Sequence, residues 1–141
     1  MSDRVIDVFF YGLFMDVSIL TESHVSPINP RRAYVEGFGI RIDSRATLVP
    51  DARGRCFGML IGMTHAELDR LYSAAGLEEY RAEAVLAQVM DGPAVPALCY
   101  NLPTEPLAGQ RNLEYATRLQ GILSKLGFPT EYIESLAHRG T

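Results

Sequence analysis

The chain has no long apolar run, no excess of positive charge and little cysteine or histidine, and each shortage excludes a class of function. No apolar segment in its 141 residues approaches the ~20 needed for a membrane-spanning helix. Lys and Arg number 13 against 17 Asp and Glu, a net charge of −4. The basic pair Arg31-Arg32 reads as a solvated turn, so the patch or stripe that binds nucleic acid is missing. Of the two cysteines, Cys56 lies in "RCFGMLIG" and Cys99 in "PALCYN", both strand-like stretches. There is no CxxC, and His24, His65 and His138 are too scattered for zinc spacing or a Ser-His-Asp arrangement. No metal and no cofactor are assigned. The cysteines read as reduced core thiols of a cytoplasmic protein, with a disulfide or a catalytic thiol left open by spacing alone. The first apolar run is interrupted by Gly12 and closed by Asp16, so it does not read as a signal peptide.

What is present is ordinary globular composition, 48% hydrophobic and 21% charged. That excludes disorder over most of the length. The length suits one domain over residues 1–141, able to bury roughly two thirds of its unfolded surface. Residues 4–11 read as a central strand, rich in β-branched and aromatic side chains. Residues 16–23 suit a short helix, and "SPINP" a loop. Residues 33–43 form a strand with a bulge or close approach at Gly37 and Gly39. "TLVPDARGR" reads as a turn region before a second apolar strand, 56–63. Thr64 and Glu67 form a capping box that opens a helix to about Ser73, with Leu68, Leu71 and Tyr72 on one face and Gly76 as the stop. Strands 80–90 and 94–100 flank the turn "DGPAVP". An amphipathic helix over 112–126 places Leu113, Ala116, Leu119, Leu123 and Leu126 together, ended by Gly127 and Pro129. Thr130 caps a last helix. The order, without repeat or linker, gives a single α+β domain whose antiparallel sheet can curl into a small barrel. The apolar C-terminal helices can pack on that barrel or form a homodimer surface.

The stretch "VFFYGLFMD" raises the functional question. A glycine after a buried strand, opening toward a helix, leaves the following amides exposed, and such amides can cradle an anion. A tight turn with no ligand is the plain alternative.

Here the chain resembles a family. "FYGLFM" is similar to the Tyr-Gly-Ser/Thr-Leu-Met signature of the gamma-glutamylcyclotransferase-like superfamily. "ATLVPDARGRCFGMLIGMTHAELDRL" and "EEYRAEAVLAQVMDGPAVPALCY" resemble its later stretches, in order, over most of residues 5–100. The likeness is strongest to the bacterial and plant AIG2-like branch. It implies a small mixed β-barrel flanked by helices. It also implies a loop, here Tyr11, Gly12, Leu13 and Phe14, whose amides hold the carboxylate of a gamma-glutamyl group, with Tyr80 at the pocket edge. The partner implied is a small-molecule substrate with a free carboxylate. The implied reaction is cyclisation: the substrate amine attacks its own gamma-carbonyl, releases an amine and leaves pyroglutamate. A carboxylate of raised pKa would take and return the proton. Family enzymes carry it in Leu-Asp-x-x-Glu-Gly. Here Leu68-Asp69-Arg70-Leu71-Tyr72-Ser73 puts Tyr72 in the glutamate's place, and Leu13 replaces a hydroxyl residue. Tyr72, with an ordinary pKa near 10, is a poor base but can donate a hydrogen bond or shape the pocket. Glu78 and Glu79 are the candidate substitutes, and at most one would point inward. The alternatives to cyclisation are a catalytically inactive module that binds a carboxylate and an enzyme of another reaction on the same fold.

Overall fold

Three consecutive buried residues, Val8, Phe9 and Phe10, show that the first strand is covered on both faces. The computed structural model describes residues 4–42, 46–73, 77–103 and 113–139, the last three by backbone only. In it β1 (Val5–Phe10) lies between two neighbours. It runs antiparallel to β3 (Ala46–Thr64), Val5 opposite Thr64 and Phe10 opposite Met59, and parallel to β5 (Ala94–Asn101) at Val8 and Leu98. β2 (Ile28–Ile42) pairs with β3 along most of its length and briefly with β4 (Arg81–Val89), which pairs with β5. The order β1-β3-β2-β4-β5 closes into a barrel, which removes the exposed sheet edges. The expected α+β class and small mixed barrel flanked by helices are thus the observed architecture.

Two expectations about local structure change. The "TLVPDARGR" stretch is strand, not turn, because β2 and β3 form one long hairpin whose register continues to Ile42 opposite Ala46. Its turn-forming residues are absorbed by a register shift between Glu36 and Phe38, where Gly37 takes φ +84°. The end of "SPINP" joins β2 through a second irregularity between Ile28 and Arg31, where Asn29 takes φ 49°.

The helices fit more closely. Asp16 caps α1 (Val17–Glu22) through Ser18 N, and Thr64 and Glu67 make the complete capping box of α2 (His65–Tyr72). The expected stop at Gly76 lies outside the described residues, as does the expected helix start at Asn112. α3 (Leu113–Lys125) buries Ala116, Leu119 and Leu123, whereas Leu113 is 57% exposed on its first turn. α4 (Thr130–Arg139) seats Tyr132 against Phe57, and its hydroxyl lies 3.2 Å from the Cys56 sulfur. Both cysteines are buried and no disulfide joins them. Among the described residues no helix is long and apolar enough to cross a membrane.

Candidate functional site

The chain leaves β1 at Phe10 and turns through Tyr11 and Gly12 into a single 3-10 turn, Leu13–Met15. Tyr11 anchors this exit. Its hydroxyl donates to the Tyr100 carbonyl at 2.7 Å and lies 2.9 Å from Asn101 Oδ1, while Asn101 also accepts from Leu48 N. One phenol therefore ties the end of β1 to the end of β5 and the start of β3. Gly12 has an extended backbone, φ −109° and ψ −151°, which other residues can adopt. Its need for glycine is spatial: a methyl there would stand 2.6 Å from the Tyr115 hydroxyl, which α3 lowers onto the loop.

The loop walls one side of a cavity of about 240 Å³. The other walls are aromatic. Tyr72, at the last turn of α2, stacks on Tyr100 with ring centres 4.0 Å apart and planes 10° from parallel. Phe14 meets Tyr72 edge-on at 6.1 Å, and Phe10 meets Phe14 in the same manner at 5.8 Å. Tyr80 enters from the foot of β4, tilted against Tyr72, and its hydroxyl donates to the Ala46 carbonyl. Tyr115 and Arg118 complete the lining from α3.

Tyr11, Tyr72, Tyr100 and Tyr115 are held neutral. Burial first, then the nearby Cys99 thiol and neighbouring tyrosines, pushes Tyr11 and Tyr72 well above the ordinary value. Burial also raises Tyr115, against a hydrogen bond from the Leu13 backbone and the charge of Arg118. Tyr100 is raised by burial and by Asp69. At neutral pH the walls therefore supply hydroxyl donors and ring faces, and Tyr72 keeps its proton.

The structure brings together six of the eight residues singled out from sequence: Tyr11, Gly12, Leu13, Phe14, Tyr72 and Tyr80 all line the cavity. It does not bring in Glu78 or Glu79. Both are exposed on the turn 77–79 and neither lines the cavity. The reason is local: Tyr80 N bonds back to the Leu77 carbonyl at 3.1 Å, a tight turn whose two ends, Leu77 and Tyr80, face the cavity while its middle faces water. Among the described residues no carboxylate lines the site, and Arg118 is its one charged side chain. Sequence reasoning missed Tyr115, Arg118 and Tyr100. The pattern of α3 gave the apolar face of that helix and carried no sign of what its flank would meet.

Comparison with known proteins gives the class of fold. No protein-family model matches the chain, and no curated protein does. Solved structures do match. A gamma-glutamyl cyclotransferase superposes with a TM-score of 0.78 at 16% identity, over 95% of this chain and 87% of that one. YkqA from Bacillus subtilis gives 0.78 at 22% identity, over 98% of this chain but only 55% of its own. An AIG2-like protein from Mus musculus gives 0.57 at 20% identity, over 73% of this chain and 80% of that one. The chain has the gamma-glutamyl cyclotransferase and AIG2-like fold that its motifs resemble.

Proposed function

We propose that this protein is a gamma-glutamylcyclotransferase-like, cytoplasmic protein that takes a small ligand with a free carboxylate, a gamma-glutamyl amine or peptide, into the aromatic cavity. The observation that carries this reading is the charge of the lining. Its one charged side chain among the described residues is the Arg118 guanidinium, its phenols are neutral, and the loop of Gly12, Leu13 and Phe14 forms one wall. Such a site favours an anion. The apolar faces of α3 and α4 are largely buried in the same chain, with Leu113 exposed at the start of α3.

The reading has a binding form and a catalytic form. The binding form is favoured by Tyr72: a half-buried phenol of raised pKa can donate to a ligand oxygen but cannot take a proton from an ammonium near neutral pH. In that form the cavity recognises its ligand without cyclising it. The catalytic form is favoured by one feature, the turn 77–79. Leu77 and Tyr80 line the cavity on either side of Glu78 and Glu79, so a local rotation of that turn would present one carboxylate to the ligand. That carboxylate would take the proton of the attacking amine and return it to the leaving nitrogen.

Two measurements on one ligand panel test both forms. Calorimetric titration reads binding, and pyroglutamate release reads cyclisation, with Glu78→Gln and Glu79→Gln proteins beside the wild type. Binding without release is expected. Release that disappears in one glutamine variant would replace the binding form by the catalytic one. A panel of gamma-glutamyl amines and peptides that neither binds nor reacts would overturn the proposal.

A further inference from the structure

Arg118 reaches the cavity from outside the barrel, on α3, three residues after Tyr115. Side chains three apart share a helix face, so one flank of α3 supplies both the hydroxyl that closes on Gly12 and the exposed guanidinium at the solvent side of the same cavity. Arg118 acts on the Asp16 carboxylate, which is already engaged: its Oδ1 accepts from Ser18 N at 3.0 Å and from the Ser18 hydroxyl at 2.7 Å. The ion pairs among the described residues are Arg31 with Asp7, Arg32 with Asp91 and Arg55 with Glu36; none uses Arg118. Beside the loop and Arg118 the lining is rich in rings, with Phe14, Tyr80 and Tyr100 each in contact with Tyr72. A flat apolar body suits that surface through offset or edge-on contacts. At the cavity mouth a guanidinium donates two hydrogen bonds to a planar oxyanion and repels an ammonium.

We propose that Arg118 decides which ligands this cavity takes: it selects an aromatic group that carries its own carboxylate at the outer end and turns away the matching amine. The choice of a gamma-glutamyl group for the inner end rests on the reading above; the role of Arg118 does not. Arg118 is then a specificity residue that touches the ligand, supplied by a helix that follows the barrel.

The test uses the full chain and two matched pairs of probes, each titrated calorimetrically. One pair is gamma-glutamylphenylalanine and gamma-glutamylphenethylamine, which differ by the outer carboxylate alone. The other is hydrocinnamate and phenethylamine, which lack the gamma-glutamyl group. The wild type is expected to bind the carboxylate member of a pair roughly tenfold or more tightly, the scale of a hydrogen-bonded charge. Arg118→Gln is expected to abolish that preference, leaving affinity for the uncharged gamma-glutamylphenethylamine within about twofold of the wild type and raising affinity for the cationic phenethylamine. Arg118→Lys keeps the charge without the fork and is expected to restore part of the preference. Arg118 is exposed, so neither change threatens folding. A wild type without preference, or a preference that survives Arg118→Gln, overturns the assignment. Hydrocinnamate held through Arg118 while both gamma-glutamyl probes fail would sustain the assignment and remove the gamma-glutamyl reading. A wild type that binds no aromatic carboxylate removes the assignment itself.

Discussion

Gly12 offers the most direct test of how the site is built. The added methyl of Gly12→Ala would sit 2.6 Å from the Tyr115 hydroxyl, about 0.8 Å inside the 3.4 Å at which ordinary contact begins, and the next nearest atom is the ring carbon that bears that hydroxyl, at 3.9 Å. The whole conflict is thus with one oxygen. Overpacking of this kind costs about 1–3 kcal/mol. Alanine at a compatible extended backbone returns about 0.4–1 kcal/mol through the unfolded chain. The single change should therefore destabilise by about 1–2 kcal/mol in urea unfolding. Tyr115→Phe removes the oxygen and should cost about 0.5–1.5 kcal/mol for the lost hydrogen bond. In that background Gly12→Ala should be close to neutral, so the double-mutant cycle should show a favourable coupling of about 1–2 kcal/mol.

The assay has an internal control at Gly58. There a methyl would meet the Phe10 carbonyl oxygen at 2.2 Å, where β1 crosses close to β3. Backbone cannot step aside as a side chain can, so Gly58→Ala should cost more than Gly12→Ala, and Tyr115→Phe should leave that cost unchanged. Equal losses for Gly12→Ala with and without the Tyr115 hydroxyl would refute the reasoning. Gly12 would then be required for something other than the space this hydroxyl occupies.

Alkaline pH gives a second prediction. Tyr11 and Tyr72 have folded-state pKa values raised above the unfolded one. Below about pH 10 both states keep their protons; above it the unfolded chain releases protons that the folded chain retains, and stability falls as pH rises. Phenolate absorbance should therefore rise in step with loss of circular dichroism, and Tyr72→Phe should make the decline shallower. Phenolate that forms fully before unfolding would contradict the burial of these hydroxyls. Glu67 gives the opposite sign. Burial works against its charge, but hydrogen bonds from Ser26 N, Thr64 N and the Thr64 hydroxyl outweigh it and hold the carboxyl below its ordinary value. Its contribution is present above the unfolded carboxyl range and is lost as pH falls through the lowered folded value. Glu67→Gln should cost about 1 kcal/mol at neutral pH, for the charge lost from its hydrogen bonds, and flatten the acid limb of the stability profile; an unchanged limb would count against it.

Local signals in this sequence were legible because their causes are local. Thr64 and Glu67 are three residues apart and complete their own capping box, so no tertiary contact is needed to read it. The continuous burial of Val8, Phe9 and Phe10 was legible for a similar reason, since a strand covered on both faces has no polar alternation. Residues 47–55 were illegible. Pro50, Asp51 and Gly54 carry turn chemistry, and the strand exists only because β2 pairs across it. Gly54 serves that pairing: a methyl there would meet the Phe38 carbonyl oxygen at 2.4 Å.

The site divides along the same line. Tyr11 through Phe14, Tyr72 and Tyr80 belong to stretches whose order resembles a family, and they meet around one cavity. The first carboxylates after Tyr72 in the chain are Glu78 and Glu79, and both are exposed on the turn 77–79 rather than at the cavity wall. The turn closed by Tyr80 N on the Leu77 carbonyl sends its two ends to the cavity and its two middle residues to water, a division set by the turn and not by position along the chain. Tyr115 and Arg118 lie roughly a hundred residues after the loop they face. In the sequence they are polar positions on the flank of an amphipathic helix. Only the packing of α3 beside the 3-10 turn converts them into the hydroxyl over Gly12 and the charge at the mouth. Among the described residues the cavity's one charged side chain therefore comes from a helix outside the barrel, and a change on that helix can alter ligand choice while every motif shared with the fold remains intact.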